Sequence, residues 1–100
     1  MGLNIEVIES DIPKLVVDGR VDTTTSAELD SAIEGALTNT NSLMIDCENL
    51  AYISSAGLRV LLKTQKAVSA NGGVLKLIHV NESVREIFEI TGFIDFLTIE

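Results

Sequence analysis

The chain has 100 residues, 46% of them hydrophobic, and a net charge of -8 at neutral pH. That length is one folded domain with a modest core, and with 4% aromatics and no Trp the core must be mostly Val, Leu, Ile and Ala. The acidic balance argues against a nucleic-acid backbone as partner, which needs clustered Lys and Arg, and against docking on anionic lipid.

Leu3, Ile5 and Val7 alternate with Asn4 and Glu6, which predicts a half-buried strand. After a turn at Glu9-Ser10-Asp11, Leu15, Val17 and Val21 alternate with Val16, Asp18 and Arg20. The short connection pairs these two strands as a hairpin. Pro13 sits near the start of the second, where a missing N–H is tolerable. The period changes over "TTTSAELDSAIEGALTN", where Leu29, Ile33, Ala36 and Leu37 share a helical face. Thr25 with Glu28 reads as a capping box at its start. "SLMIDC" is an unbroken apolar run ending near Asp46, the pattern of a central strand covered on both faces.

From Ser55 to about Ala70 the pattern is helical again, with Leu58, Leu61, Leu62 and Val68 on one side. Asn71-Gly72-Gly73 stops it, because Gly tolerates the left-handed conformation of a helix end. "VLKLIHV" is a further strand. Ser83 and Glu86 are placed to cap a third helix carrying Val84, Ile87 and Phe88, with Gly92 at its end. "FLTIE" adds a last short strand. The expected order is β-β-α-β-α-β-α-β, an α/β domain spanning residues 1–100. Strands separated by helices imply parallel pairing through crossovers, with helices against the sheet.

The single Cys47 forbids an internal disulfide and fits a reducing compartment. No basic region followed by an apolar core opens the chain, and no apolar run approaches the roughly 20 residues that span a bilayer. The expectation is a cytoplasmic protein without membrane insertion. A metal site wants clustered His and Cys, whereas His79 and Cys47 stand singly, both inside predicted strands. Cys47 is expected in the core and His79 at the surface or an edge. There is no G-x-S-x-G elbow, P-loop or dinucleotide fingerprint. No catalytic residue, cofactor or metal is therefore expected.

Asp22 and Asp46 stand where functional groups gather, beyond the carboxyl ends of strands. Each also has a structural reading: a local cap for Asp22, a hydrogen bond pinning the next loop for Asp46. Ser54 and Ser55 raise the sharper question. One hydroxyl suffices to cap the helix by accepting from a backbone N–H two or three residues on. The helix N-terminus also carries partial positive charge and unpaired N–H groups, so it tolerates a phosphate. A phosphoserine there would add nearly two negative charges. Gly57 would keep the turn unencumbered and let another backbone approach. Arg59, Lys63 and Lys66 recur at spacings of four and three and are three of only seven basic residues. They form either a solvated face or a docking strip for an acidic partner.

"GRVDTTTSAEL", "LMIDCENLAYISSAGLRVLL" and "GVLKLIHVNESVREIFEITGF" together resemble the STAS domain, and more narrowly the small single-domain anti-sigma factor antagonists of bacteria. The resemblance runs through nearly the whole chain, and its Ile-Ser-Ser-Ala-Gly-Leu segment is the most specific part. It implies a four- to five-stranded mixed sheet with helices mainly on one face. It also implies partner switching by a protein that is a ligand and a substrate, not an enzyme. The unphosphorylated antagonist binds an anti-sigma factor that is itself a serine kinase, which frees a sigma factor. Phosphorylation at the start of the second helix separates the pair, and a serine phosphatase resets the cycle. By position the acceptor is Ser55, with Ser54 a secondary candidate. Family members place an acid before the acceptor; here Ser54 stands there, and Ala56 follows. Asp22 matches the family's acid after the second strand. The partner surface implied is Asp22, Thr23, Ser54, Ser55, Ala56, Gly57, Arg59 and Lys63, on a monomer that touches no nucleic acid directly.

Two other readings keep the residues but not the switch. STAS domains also serve as constitutive accessory subunits, for example beside the ATPases of lipid transporters, and there the serines would only cap a helix. A nucleotide-binding domain would use the same helix N-terminus, but no Gly-rich cradle supports it.

Overall fold

Along the second strand the side chains divide as alternation demands: Leu15, Val17 and Val21 are at most 1% exposed, while Lys14 and Val16 are half-buried and Asp18 and Arg20 exposed. The computed structural model describes residues 3–100. It runs β1 (Leu3–Ile8), β2 (Lys14–Val21), α1 (Ser26–Ala36), β3 (Leu43–Asp46), β4 (Leu50–Ile53), α2 (Ser55–Ala70), β5 (Leu75–Ile78), α3 (Glu82–Thr91), a 3-10 turn at Phe93–Asp95, and β6 (Thr98–Ile99). The strands form one six-stranded sheet in the order β1-β2-β3-β5-β6, with β4 also paired to β2. β1 is antiparallel to β2, from Leu3↔Gly19 to Ile8↔Lys14, and every other pair is parallel.

The sheet thus has one strand more than expected, and the extra one is β4. β3 is only four residues long and covers the first half of β2, from Lys14↔Met44 to Val16↔Asp46. The chain then steps out at 47–49 and returns as β4 beside the second half, with Gly19↔Leu50, Arg20↔Tyr52 and Val21↔Ile53. The register slips between Gly19 and Arg20, and Gly19 has φ +117, a backbone geometry that a side chain would resist. The slip puts Leu50 and Ile53 inward with two residues between them, which destroys the period of two that marks a strand.

The inner face of the sheet, with Leu15, Val17, Leu43, Ile45, Leu75 and Leu77, joins a single core with Leu29 and Ile33 of α1, Leu58, Leu61 and Val68 of α2, and Val84 and Phe88 of α3. Phe88 is fully buried, and truncating such a side chain to Ala costs about 3–5 kcal/mol. On the opposite face Lys14, Val16, Met44, Lys76 and Ile78 remain partly exposed. In β3 this leaves Met44 half-buried where the apolar run predicted cover on both faces, while Asp46 on the same face is buried. Cys47 and His79 each fall one residue past a strand. Cys47 is 1% exposed, and burial, with Asp46 beside it, pushes its thiol up to about 12.

The ends of α2 and α3 follow the sequence, whereas the starts of α1 and α3 depart from it. Gly72 (φ +76) follows α2 and Gly92 (φ +81) closes α3, both left-handed. α3, however, is capped by Asn81, whose Oδ1 accepts from the Val84 amide at 3.0 Å. Ser83 and Glu86 lie exposed inside that helix and make no capping box. Thr25 stands at the N-cap of α1 but makes no side-chain cap bond, so the Thr25–Glu28 box does not form either.

Candidate functional site: two strand-to-helix junctions

β2 and β4 end side by side, Val21 against Ile53, and each hands over to a helix. The first junction is Asp22–Thr25. Oδ1 of Asp22 accepts from the Thr24 amide (3.0 Å), the Thr24 hydroxyl (2.7 Å) and the Thr25 amide (3.0 Å). The Thr25 hydroxyl accepts from the Asp22 amide and donates to the Arg20 carbonyl, each at 2.9 Å. The Thr24 hydroxyl first, then the Thr25 amide, hold the Asp22 carboxyl down at about 2. Asp22 thus caps its own turn, and Thr23 is exposed at the tip.

The second junction is Ser54–Ser55, and here the two hydroxyls separate. Ser54 is extended (φ -87, ψ 174) and buried. Its amide donates to the Val21 carbonyl at 2.7 Å, and its Oγ accepts from the Gly57 amide at 3.3 Å. Ser54 is therefore the helix cap. Ser55 is the first helical residue and is exposed, and its hydroxyl has no hydrogen-bond partner among the described residues. The first turn of α2 carries no acid.

Gly57 does not offer room to a visiting backbone. It is buried, and a Cβ there would lie 2.6 Å from Val21 Cγ1 and 2.7 Å from Ile53 Cγ1. The missing side chain lets α2 press on β2 and β4 of its own fold, which corrects the expectation of an open approach. Ala56 beside it is half-buried.

The basic strip on α2 is also divided. Lys63 Nζ reaches Asp30 Oδ2 at 2.7 Å and Glu34 Oε2 at 3.8 Å, tying α2 to α1. The bond to Asp30 raises the Lys63 pKa. Arg59 and Lys66 are exposed and have no acidic partner among the described residues.

Asp46 takes its structural reading. Its Oδ1 accepts from the Glu48 amide and its Oδ2 meets His79 Nδ1, both at 3.0 Å. Burial pushes its carboxyl up, but the Glu48 amide and His79 more than offset this and leave it below its ordinary value. His79, at φ +55, turns its ring back onto Asp46. Among the described residues Asp46, Glu48 and His79 are the three that bring possible metal donors within 4.8 Å of one another. The mutual bond of Asp46 and His79 accounts for that closeness. Asn81 was not among the expected site residues. Its Nδ2 lies 3.1 Å from Cys47 O, 3.2 Å from Glu48 O and 2.8 Å from Leu50 O, clamping the turn that launches β4. The signal that could have found it is an Asn directly before a helix.

A family model described as STAS domain matches residues 3–100. An anti-sigma-B factor antagonist of Staphylococcus aureus is 31% identical over 101 residues, covering 99% of this chain and 94% of that protein. Among solved structures, an anti-sigma factor antagonist from Mycobacterium paratuberculosis superposes with a TM-score of 0.85 at 21% identity, over 98% of this chain and 85% of that one. The Bacillus cell fate determinant SpoIIAA in its phosphorylated form gives a TM-score of 0.71 at 16% identity, over 99% and 91%. No helix among the described residues is long and apolar enough to cross a membrane.

Proposed function

The chain belongs to the STAS domain family, and from that premise we propose that it is an anti-sigma factor antagonist switched by phosphorylation of Ser55. In its unphosphorylated form it binds an anti-sigma factor with serine-kinase activity, and so releases a sigma factor. In the reverse step the Ser55 Oγ bonds to the γ-phosphorus of ATP, the bond to the leaving ADP breaks, and the hydroxyl proton passes to a base of the kinase. A serine phosphatase hydrolyses the ester and restores the free hydroxyl. The protein acts as ligand and substrate, as a cytoplasmic monomer with no nucleic-acid contact.

The observation that carries this reading is the separation of the two serines. Ser54 holds the helix start from a buried position, so Ser55 can be modified without dismantling the turn. Naming of the relatives as anti-sigma-B factor antagonists supports it. A phosphate at Ser55 placed against a partner would have to be desolvated there, or would meet an acidic patch, at a cost of several kcal/mol wherever the contact leaves it incompletely paired. That is enough to reverse a micromolar association.

The test uses wild type, Ser55→Ala and Ser55→Asp as baits in lysate from the source organism, with captured proteins identified by mass spectrometry and their affinities then measured. A kinase-like protein kept by wild type and Ser55→Ala, and weakened about a hundredfold by Ser55→Asp, is the expected result. Equal retention by all three makes Ser55 an ordinary helix residue and the chain a constitutive binding module. Loss with Ser54→Asp, run as a fourth bait, but not with Ser55→Asp would move the acceptor to Ser54.

A further inference from the structure

We propose that Arg59 folds back over phosphorylated Ser55 and pairs with its phosphate in cis, so that modification adds negative charge and at the same time withdraws the cation that, among the described residues, stands uncommitted beside it. This rests on the reading of Ser55 as the phosphoacceptor.

Among the described residues, most basic side chains are already engaged. Lys63 is bound to Asp30 and Glu34, Lys76 to Glu100 at 3.1 Å, and Arg85 to Glu89 at 3.5 Å. The Arg20 guanidinium lies over the Tyr52 ring, 4.5 Å from its centroid. Lys14 begins β2, at the opposite end of that strand from the serines. Arg59 and Lys66 remain, both on α2 and both exposed. Lys66 is eleven residues from Ser55, about 16 Å along the helix axis. Arg59 is four residues away, one turn, on the same face.

Direction matters as much as spacing. Side chains on a helix lean toward its N-terminus, so a long residue covers the turn before its own Cα. Arg59 therefore reaches toward Ser55, whereas a cation N-terminal to the serine would lean away. An anion four residues before a cation is also the favourable order on a helix. A guanidinium can hold a phosphate through two parallel N–H bonds. Asp22, at the neighbouring junction, adds negative charge at the same end of the sheet and so favours a local cation for the phosphate.

The pairing has a direct chemical readout. The second ionisation of a phosphoserine falls near about pH 6, and a paired cation lowers it. The test is the full chain carrying phosphoserine installed at position 55 during synthesis, titrated by phosphorus NMR. Three proteins are compared: the otherwise unchanged chain, Arg59→Gln and Lys66→Gln. Both substitutions remove one exposed positive charge from the same helix, and circular dichroism checks that each is folded. Arg59→Gln is expected to raise the phosphate midpoint by about 0.2–0.4 pH unit, and Lys66→Gln by much less. Equal shifts in the two variants, or none with Arg59→Gln, overturn the proposal. Because the phosphate is installed without a kinase and read without a partner, the outcome is separate from the pull-down that tests Ser55 as a switch.

Discussion

The two junctions at the ends of β2 and β4 occupy equivalent places in the sheet and are built in opposite ways. Between β2 and α1, Asp22, Thr24 and Thr25 satisfy one another, and the carboxylate collects amides and hydroxyls. Between β4 and α2, one bond from the Gly57 amide to Ser54 caps the helix, and the next hydroxyl is left in solvent. A junction that closes on itself holds the fold but has few groups left for a partner. A junction that caps with one residue and exposes the next separates stability from chemistry, and only the second kind can be modified cheaply.

The contrast can be broken most severely where both junctions touch. Gly57→Ala drives a methyl group into Val21 and Ile53, an overpacking expected to cost about 2–3 kcal/mol in urea denaturation. An unchanged midpoint would show that α2 does not press on the two strands. Next is the closed junction itself. Thr25→Val keeps the shape but leaves the Arg20 carbonyl and Asp22 amide without their hydroxyl partner, and about 2 kcal/mol of stability should be lost.

The open junction should respond less. Ser54→Ala removes a cap bond of 3.3 Å and should cost about 0.5–1 kcal/mol; a loss as large as that of Thr25→Val would erase the distinction between the junctions. Asp22 adds a pH signature. Its folded carboxyl sits at about 2, below the ordinary 3.8. The stability it contributes is complete above about pH 4 and is lost as pH falls toward about 2. Asp22→Asn should flatten that part of the stability–pH curve, and an unchanged slope would detach the carboxylate from the turn. The smallest effect is expected for Ser55→Ala, within about 0.5 kcal/mol of wild type; a larger loss would mean that its hydroxyl is structural after all.

What the sequence revealed was whatever repeats along the chain. Leu15, Val17 and Val21 alternate, Leu58, Leu61 and Val68 recur at helical spacing, and both patterns appear as buried faces. β4 stayed hidden because its slipped register breaks the alternation at Ala51 and Tyr52. The starts of α1 and α3 escape the sequence because local motifs compete with distant partners. Thr25 turned back to Arg20 rather than forward to Glu28, and Asn81 took the cap of α3 while reaching residues more than thirty positions earlier. In the site, the pair Ser54–Ser55 was legible as a pair, but which hydroxyl faced inward was not. The Ser54 amide docks on the Val21 carbonyl, a contact between the residue after β4 and the end of β2 that only the assembled sheet supplies. Lys63 likewise looked free until α1 was folded beside it.

Cys47 gives the molecule a built-in clock. Its sulfur is enclosed and its thiol is pushed up to about 12, so near neutral pH the folded chain presents almost no thiolate to a disulfide reagent. Labelling must wait for the core to open, and its rate counts those openings one molecule at a time. A partner that binds only the folded form slows the count in proportion to its occupancy. The lone sulfur can therefore time the grip and release of a partner without any added probe.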